Sequence, residues 1–258
     1  MPQRYAAMIL KTPEEIEVMA EGGRRLAEVL RRLAEATRAG ITTKHLDRLA
    51  YQLIHASGAK PAFLHYRPAG ARRAYPYSLC TSLNDVVVHG QPSDYVMKDG
   101  DLVKLDLGLL YKGFYLDAAL TVAVGRIGRD ADRLVAATKE ALLAATSEAR
   151  IGETLGDIGS IVEKTAKKNR CTVADGLTGH GIGRSLHEDP TVPNVGRKGE
   201  GEELQEGTVL AIEPMLVLGR PPLRQLRDES WATADGSLAA HFEHTVAVTK
   251  NGPRILTA

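Results

Sequence analysis

Apolar residues recur at helical spacing in four stretches of the chain. The first stretch begins after a capping threonine, Thr12, which is followed by proline and, three residues after the cap, by glutamate. We expect Gly40 to end this helix and a second amphipathic helix to run from residue 43 to residue 57. Two further helices are predicted over residues 131–148 and 154–168. The helices therefore come in two pairs.

Strand-like segments follow each pair of helices. Residues 102–107 and 120–124 are rich in β-branched and apolar side chains, and similar segments return from residue 209 onward. The order of two helices followed by strands, which occurs twice, indicates an internal duplication.

Three overlays of the sequence on itself support the duplication. They pair Thr42 with Thr154 at a shift of 112 residues, Asp106 with Glu213 at 107, and Asp117 with Glu243 at 126. An acidic residue is kept in the second and third overlays, and the short charged segment 126–130 is no flexible linker. We therefore expect a single domain over residues 1–258, built from halves at about 11–125 and 126–258 that share one sheet and one core.

The composition is that of an ordinary globular protein. Of 258 residues, 43% are hydrophobic and 25% charged, which excludes a disordered, collagen-like or coiled-coil chain. The net charge of +1 leaves no bulk field to gather nucleic acid or an anionic membrane. Cys80 and Cys171 form no C-x-x-C pair, and no run of eighteen apolar residues occurs, so we expect a cytoplasmic protein with free thiols and no membrane partner.

Four carboxylates lie where the pattern predicts buried strands. They are Asp106, Asp117, Glu213 and Glu243. A buried anion is costly unless it is paired or binds a metal. A nearby Arg or Lys, or an exposed sheet edge, would explain any one of them, but the pairing of all four by the duplication favours divalent cations.

Two histidines adjoin glycines. His180 lies in Gly-His-Gly-Ile-Gly, where the flanking glycines permit close backbone approach and free the imidazole to act as a ligand. The segment lacks the spacing of a dinucleotide-binding loop, and His187-Glu188 lacks the second histidine of a zincin. His89 precedes Gly90 after an apolar run.

Taken together, these motifs resemble the type I methionine aminopeptidases from about residue 11 to residue 257. The matching segments are Val-Val-His89-Gly-Gln-Pro, Lys-Leu-Asp106-Leu, Asp117, Gly-His180-Gly-Ile-Gly, His187, Ala-Ile-Glu213-Pro-Met and Phe-Glu243-His-Thr-Val. The resemblance implies the pita-bread fold, an α/β (α+β) architecture with helices on a curved antiparallel sheet. The 30 residues between Glu213 and Glu243 leave no room for the helical insertion of the type II enzymes.

The resemblance also implies a site. Two divalent ions (Co, Mn, Fe or Zn) would be held by Asp106, Asp117, His180, Glu213 and Glu243, with Asp117 and Glu243 bridging. Glu213 would also shuttle a proton, while His89 and His187 would contact the substrate. The methionine side chain would be lined by Tyr75, Cys80, Leu186 and Trp231, although core packing explains Tyr75 and Trp231 equally well.

Three positions depart from the family pattern. Leu186 stands where bacterial relatives often carry an aromatic residue, Arg72 makes its segment unusually basic, and Ala118 follows Asp117 where Thr-Ser is common. The Ala118-Ala119 pair removes hydroxyl groups from the surroundings of the metals.

Three functions remain open from the sequence. The first is removal of the N-terminal methionine from nascent polypeptides with a small second residue, by a monomer. The second is cleavage of Xaa-Pro bonds or dipeptides on the same fold, and the third is a non-catalytic ribosome-associated protein. The basic stripe of Arg24, Arg31, Arg32 and Arg38 is read as a solvated helix face that could contact the ribosomal exit region.

Overall fold

The computed structural model describes residues 8–67 and 70–258, with four helices and fifteen strands in that part of the chain. The helices are α1 (Pro13–Ala36), α2 (Thr43–Ala56), α3 (Arg129–Glu148) and α4 (Leu155–Lys168). The strands are β1 (Lys60–Pro61), β2 (Cys80–Leu83), β3 (Val86–Val88), β4 (Leu102–Tyr111), β5 (Phe114–Ala123), β6 (Thr172–Val173), β7 (Gly179–Gly181), β8 (Glu188–Val192), β9 (Val209–Ile212), β10 (Met215–Val217), β11 (Leu223–Gln225), β12 (Trp231–Thr233), β13 (Ala239–His241), β14 (His244–Thr249) and β15 (Gly252–Ile255).

The helix ends follow local chemistry. Helix α1 begins with the expected capping box between Thr12 and Glu15. The expected end at Gly40 is wrong, because Thr37 leaves the helix in an extended conformation and its hydroxyl donates to the carbonyl of Leu33 at 2.8 Å. Gly40, with φ of +86°, belongs to the turn that follows.

The strands form small antiparallel sheets that meet around a common centre. Strand β4 pairs with β1, β2 and β5, and a second sheet has the order β15-β14-β9-β7-β8. Two three-stranded sheets, β13-β10-β6 and β11-β12-β3, flank them. A single bridge between Ala119 of β5 and Glu243 connects the two larger sheets.

Each helix pair covers its own part of the core. Helices α1 and α2 bury leucines against β4 and β5, including Leu105, Leu107 and Leu109. Helix α3 packs on β9, β10, β13 and β15, and helix α4 packs on α3, β6 and β8. Because side chains alternate along a strand, Lys104, Asp106 and Gly108 lie on the opposite face of β4. The helices therefore cover one side of the strands, and the carboxylates lie on the other.

Thr42 and Thr154, which the shift of 112 residues overlays, are the N-caps of α2 and α4. No helix within residues 8–67 and 70–258 combines the length and apolar character needed to span a membrane.

Candidate metal centre

The β4–β5 hairpin places two carboxylates on one face. In its register Asp106 lies opposite Ala119 and Asp117 lies opposite Gly108, so the two acids are diagonal neighbours. Both acids are nearly inaccessible, with exposures of 8% and 3%. The Thr245 hydroxyl accepts from the amide of Asp117 at 3.0 Å and donates to its carbonyl at 2.8 Å, which fixes the backbone of Asp117 against β14.

Glu213 and Glu243 face each other in the second half of the chain. Ile212 pairs with His244 in one ladder and Met215 pairs with His241 in the next. The same register therefore places Glu213 opposite Glu243, in the gap between the two ladders. The main chain of Glu243 then bonds to Ala119, and this bond brings the pair to the edge of the first hairpin.

His180 joins the four carboxylates because the glycines on either side of it let the backbone of β7 pack closely against its neighbours. An added Cβ at Gly179 would lie 2.2 Å from the carbonyl oxygen of Ala211, and one at Gly181 would lie 2.2 Å from that of Asp189. His180 Nδ1 contacts the carbonyl oxygen of Gly181 at 2.9 Å. Since a carbonyl only accepts, the proton is on Nδ1 and the lone pair of Nε2 faces Glu213 Oε1, 3.7 Å away.

The carboxylates lack the partners that a structural role would give them. Asp106 Oδ1, Asp117 Oδ1 and Glu243 Oε1 are buried without a hydrogen-bond partner among the described residues. The explanation of each acid by a nearby Arg or Lys therefore fails at these oxygen atoms. When ionised, these carboxylate oxygens can only accept, so they cannot satisfy one another. A cation is the kind of partner that would stabilise them together.

Burial raises the free energy needed to ionise these four carboxyl groups when no cation is bound. Burial raises the pKa of Asp106 to about 7, with His241 and Glu213 as its interacting neighbours, and it raises the pKa of Glu213 to about 8. The pKa values of Asp117 and Glu243 are held well above their usual range by burial and by the neighbouring acids. Burial lowers the pKa of His180 to about 3, so its imidazole is neutral and free to act as a ligand.

The donor geometry fits divalent ions. The ligand atoms of Asp117, His180 and Glu243 lie within 4.8 Å of one another, as do those of Glu213, His241 and Glu243. Carboxylate oxygens dominate the set, which contains no thiolate, and such a set suits divalent metals of the Mn, Fe and Co kind. The residues therefore fit the implied cofactor.

We expect the metal-free protein to lose stability as the pH rises from 7 to 8. The folded state keeps a proton on Glu213, whose pKa is about 8, and the pKa values of Asp117 and Glu243 are shifted in the same direction, whereas the unfolded chain has already lost these protons. Each retained proton lowers the free energy of unfolding by about 1.4 kcal/mol per pH unit. Lys104 acts in the opposite direction because burial lowers its pKa to about 7, and so do buried histidines such as His89 and His241, whose pKa values burial lowers to about 4. The histidine contribution fades above pH 7, where the unfolded chain has also lost those protons.

Urea unfolding of chelator-stripped protein at pH 7.0, 7.5 and 8.0 measures this dependence. Metal-loaded protein is the control, because bound cations replace the protons and remove the downward slope. A metal-free stability that stays level or rises over this interval would mean that the acids are ionised without a cation.

A cavity of about 1060 Å³ opens onto the carboxylates. Its walls include every predicted substrate-contacting residue: Tyr75, Cys80, His89, Leu186, His187 and Trp231. Cys80 lies directly opposite Asp106 in the β2–β4 ladder, and Trp231 lies opposite Val88, the residue before His89. The structure therefore brings the predicted pocket and the predicted metal ligands to one place.

Tyr75 and Trp231 lie between the core and the cavity. Tyr75 packs partly against the core of the first half, and its hydroxyl donates to the carbonyls of Leu79 and Gly90 at 3.0 and 3.1 Å. Trp231 packs partly against the small core beside β10. Each ring also lines the cavity, so each contributes to the core and to the pocket wall.

The two pocket histidines are held differently. His187 Nδ1 lies 2.7 Å from the hydroxyl of Tyr66, and its ring stands edge-on to His180 with centroids 4.4 Å apart. His89 has a backbone φ of +61°, and burial lowers the pKa of its side chain to about 4, so it is neutral near pH 7.

Sequence reasoning missed three contributors to this site. Tyr66 and Thr245 act through contacts with residues more than a hundred positions away. His241 is 1% exposed and its Nε2 lies 3.3 Å from Glu213 Oε2. Its position two residues before Glu243 is a signal that could have found it, since such residues share a strand face.

Comparison with known proteins gives concordant matches. The sequence profile of Metallopeptidase family M24 matches residues 17–250. A methionine aminopeptidase of Clostridium perfringens is 44% identical over 252 residues, which cover 97% of this chain and 98% of that protein. The crystal structure of methionine aminopeptidase from Rickettsia prowazekii superposes with a TM-score of 0.93 at 35% identity, covering 98% of this chain and 100% of that chain.

A more distant structure shares the fold. The prolidase from Pyrococcus furiosus superposes with a TM-score of 0.77 at 25% identity, covering 97% of this chain but 66% of the prolidase. These superpositions confirm the expected pita-bread α/β fold. The match extends over the whole of the two methionine aminopeptidases and over only part of the prolidase.

Proposed function

Because the chain belongs to metallopeptidase family M24, we infer that it removes the N-terminal methionine from peptides and nascent proteins with a small second residue. One observation carries the inference: five side chains that are distant in sequence converge on the wall of one cavity beside the predicted methionine pocket. The match to methionine aminopeptidases over their full length favours this activity over Xaa-Pro cleavage.

We propose that the five residues hold two divalent ions. In this proposal Asp117 and Glu243 would serve both ions, and the full set of ligands would be Asp106, Asp117, His180, Glu213 and Glu243. Four carboxylates contribute a charge of −4 against +4 from the cations, so the loaded centre is close to neutral. When bound, such a pair supplies an activated water and polarises the scissile carbonyl.

The protein's own residues orient the substrate and move protons. A Tyr66 hydroxyl that donates to Nδ1 of His187 leaves the proton on Nε2, where it can stabilise the negative charge that develops on the carbonyl oxygen. Glu213, whose carboxylate would be kept ionised by the bound cations, can accept a proton and return it to the leaving amine. Neutral His89 hydrogen-bonds the substrate's backbone at the first peptide bond.

The cavity has room for more than a single side chain. Its volume of about 1060 Å³ lies just above the roughly 300–1,000 Å³ typical of small-molecule pockets. The part walled by Cys80, Leu186 and Trp231 suits a thioether, because sulfur packs well against apolar and aromatic surfaces. The remaining volume is available for the peptide downstream of the scissile bond.

A peptide panel tests the proposed activity. We expect metal-loaded protein to release methionine from Met-Ala-Ser, to act at least tenfold more slowly on Met-Leu-Ser, and to leave Ala-Pro-Ser intact. Cleavage of Ala-Pro-Ser in preference to Met-Ala-Ser would overturn the proposal in favour of an Xaa-Pro enzyme. Failure of loaded protein to cleave either peptide would favour a non-catalytic binding protein.

We further propose that this protein acts as a monomer on nascent chains in the cytoplasm. The free, buried state of both cysteines supports a reducing compartment. Arg24, Arg31, Arg32 and Arg38 are exposed along α1 and just beyond it. Arg31 pairs with glutamates of its own helix, as a solvated face would, and this face is available for transient contact with the ribosome.

A further inference from the structure

His241 is buried beside the proposed metal centre without a partner for its ring. It is the last residue of β13 and is 1% exposed, and neither ring nitrogen has a hydrogen bond among the described residues. Its backbone, in contrast, is fixed twice by Thr121: the amide of His241 donates to the Thr121 hydroxyl at 2.9 Å, and this hydroxyl donates to the carbonyl of His241 at 2.8 Å.

The imidazole is directed at one oxygen of Glu213. His241 Nε2 lies 3.3 Å from Glu213 Oε2, while the other oxygen, Oε1, lies 3.7 Å from His180 Nε2. The two oxygens of this carboxylate therefore face different histidines. His241 is absent from the cavity wall, which includes Glu213 and His180, so it lies behind the carboxylate.

A buried neutral imidazole carries one N–H that needs an acceptor. The 3.3 Å contact becomes a hydrogen bond after a small rotation of either side chain, and the bond gains strength when Glu213 is ionised. An unmade bond at this depth would cost about 1–3 kcal/mol. The bond would also stop the carboxylate from turning away from the cavity.

We propose that His241 is a positioning residue of the metal centre, which donates from Nε2 to Glu213 Oε2 and so directs Glu213 Oε1 toward His180 and the bound cation. This inference rests on the metal centre proposed above. Such outer contacts raise metal affinity because they hold a ligand in its binding orientation and favour its charged form.

Substitution of His241 by glutamine or by leucine distinguishes two roles, hydrogen-bond donor to Glu213 and metal ligand. The amide of His241→Gln keeps an N–H for Glu213, whereas His241→Leu does not. We expect calorimetry with Co²⁺ on chelator-stripped protein to show a 10–100-fold weaker affinity for His241→Leu. His241→Gln should stay within about threefold of the unmodified protein, and His45→Leu, at an exposed histidine of α2, is the control.

Two results would overturn this role. Wild-type affinity in His241→Leu would show that the contact positions nothing. Equal weakening in His241→Gln and His241→Leu, with a changed cobalt absorption spectrum in both, would make His241 a ligand. If His241→Leu does not fold, His241→Met provides the second variant without a donor.

The same samples separate this inference from the proposed function. Unmodified protein that binds Co²⁺ but does not release methionine refutes the function and leaves the role of His241 intact. Unmodified protein that binds no Co²⁺ refutes both.

Discussion

Asp117→Asn is expected to lower kcat for Met-Ala-Ser by at least about a thousandfold, which corresponds to roughly 4 kcal/mol of transition-state stabilisation. Asp117 is a member of one close ligand grouping and lies beside Asp106, and in the proposed centre it would serve both ions. An amide is a poorer ligand than a carboxylate and removes one of the four negative charges. Initial rates and the metal content of dialysed protein measure the effect.

Urea unfolding of Asp117→Asn shows whether a loss of activity comes from lost metal binding or from a destabilised fold. Burial and the neighbouring acids hold the pKa of Asp117 well above its usual range, so asparagine relieves a cost in the metal-free state. Metal-free Asp117→Asn should therefore unfold at the same urea concentration as the metal-free parent or at a higher one. The matched control is Asp94→Asn, whose side chain is 84% exposed. If Asp117→Asn has the same metal content and the same rate as the parent protein, Asp117 is not a ligand of the metal centre.

His187→Ala should lower kcat about 100–1000-fold while metal content stays near two ions. The imidazole contacts the Tyr66 hydroxyl on the cavity wall, and in the proposed mechanism it would offer Nε2–H to the carbonyl oxygen of the substrate. Removal of one such donor typically costs two to three orders of magnitude, roughly 2.7–4 kcal/mol. Steady-state kinetics and elemental analysis of the same preparation give both quantities.

His55→Ala is the control, because His55 is exposed on α2, away from the cavity. Loss of metal from His187→Ala would move His187 into the ligand set. An unchanged kcat would show that the carbonyl oxygen is stabilised without it.

The sequence predicted elements whose signals are local. The predicted capping box at Thr12 is contained within a few residues and starts α1, and the helix expected from residue 154 begins with Thr154 as its cap. Gly40 failed as a helix end because Thr37 competes for the last carbonyls through its own hydroxyl. Strands of two or three residues, such as β3 and β7, are too short for a periodic signal.

The candidate site was predictable where the chemistry itself is anomalous. Asp106 in an otherwise apolar strand and His180 between glycines are visible in the sequence, and the structure brings both to the cavity. His241 was not found, because its role depends on the register of β10 with β13, which places it near Glu213. Tyr66 reaches His187 across 121 residues, and no spacing rule encodes such a contact.

Anomalous diffraction from crystals grown with Mn²⁺ tests the paired-cation centre most directly. We expect two peaks about 3.5–4 Å apart at the cavity wall, each within about 2.0–2.3 Å of oxygens from Asp106, Asp117, Glu213 and Glu243, with His180 Nε2 bound to one of them. A map without peaks there, with the acids paired to lysine or arginine instead, would contradict the account.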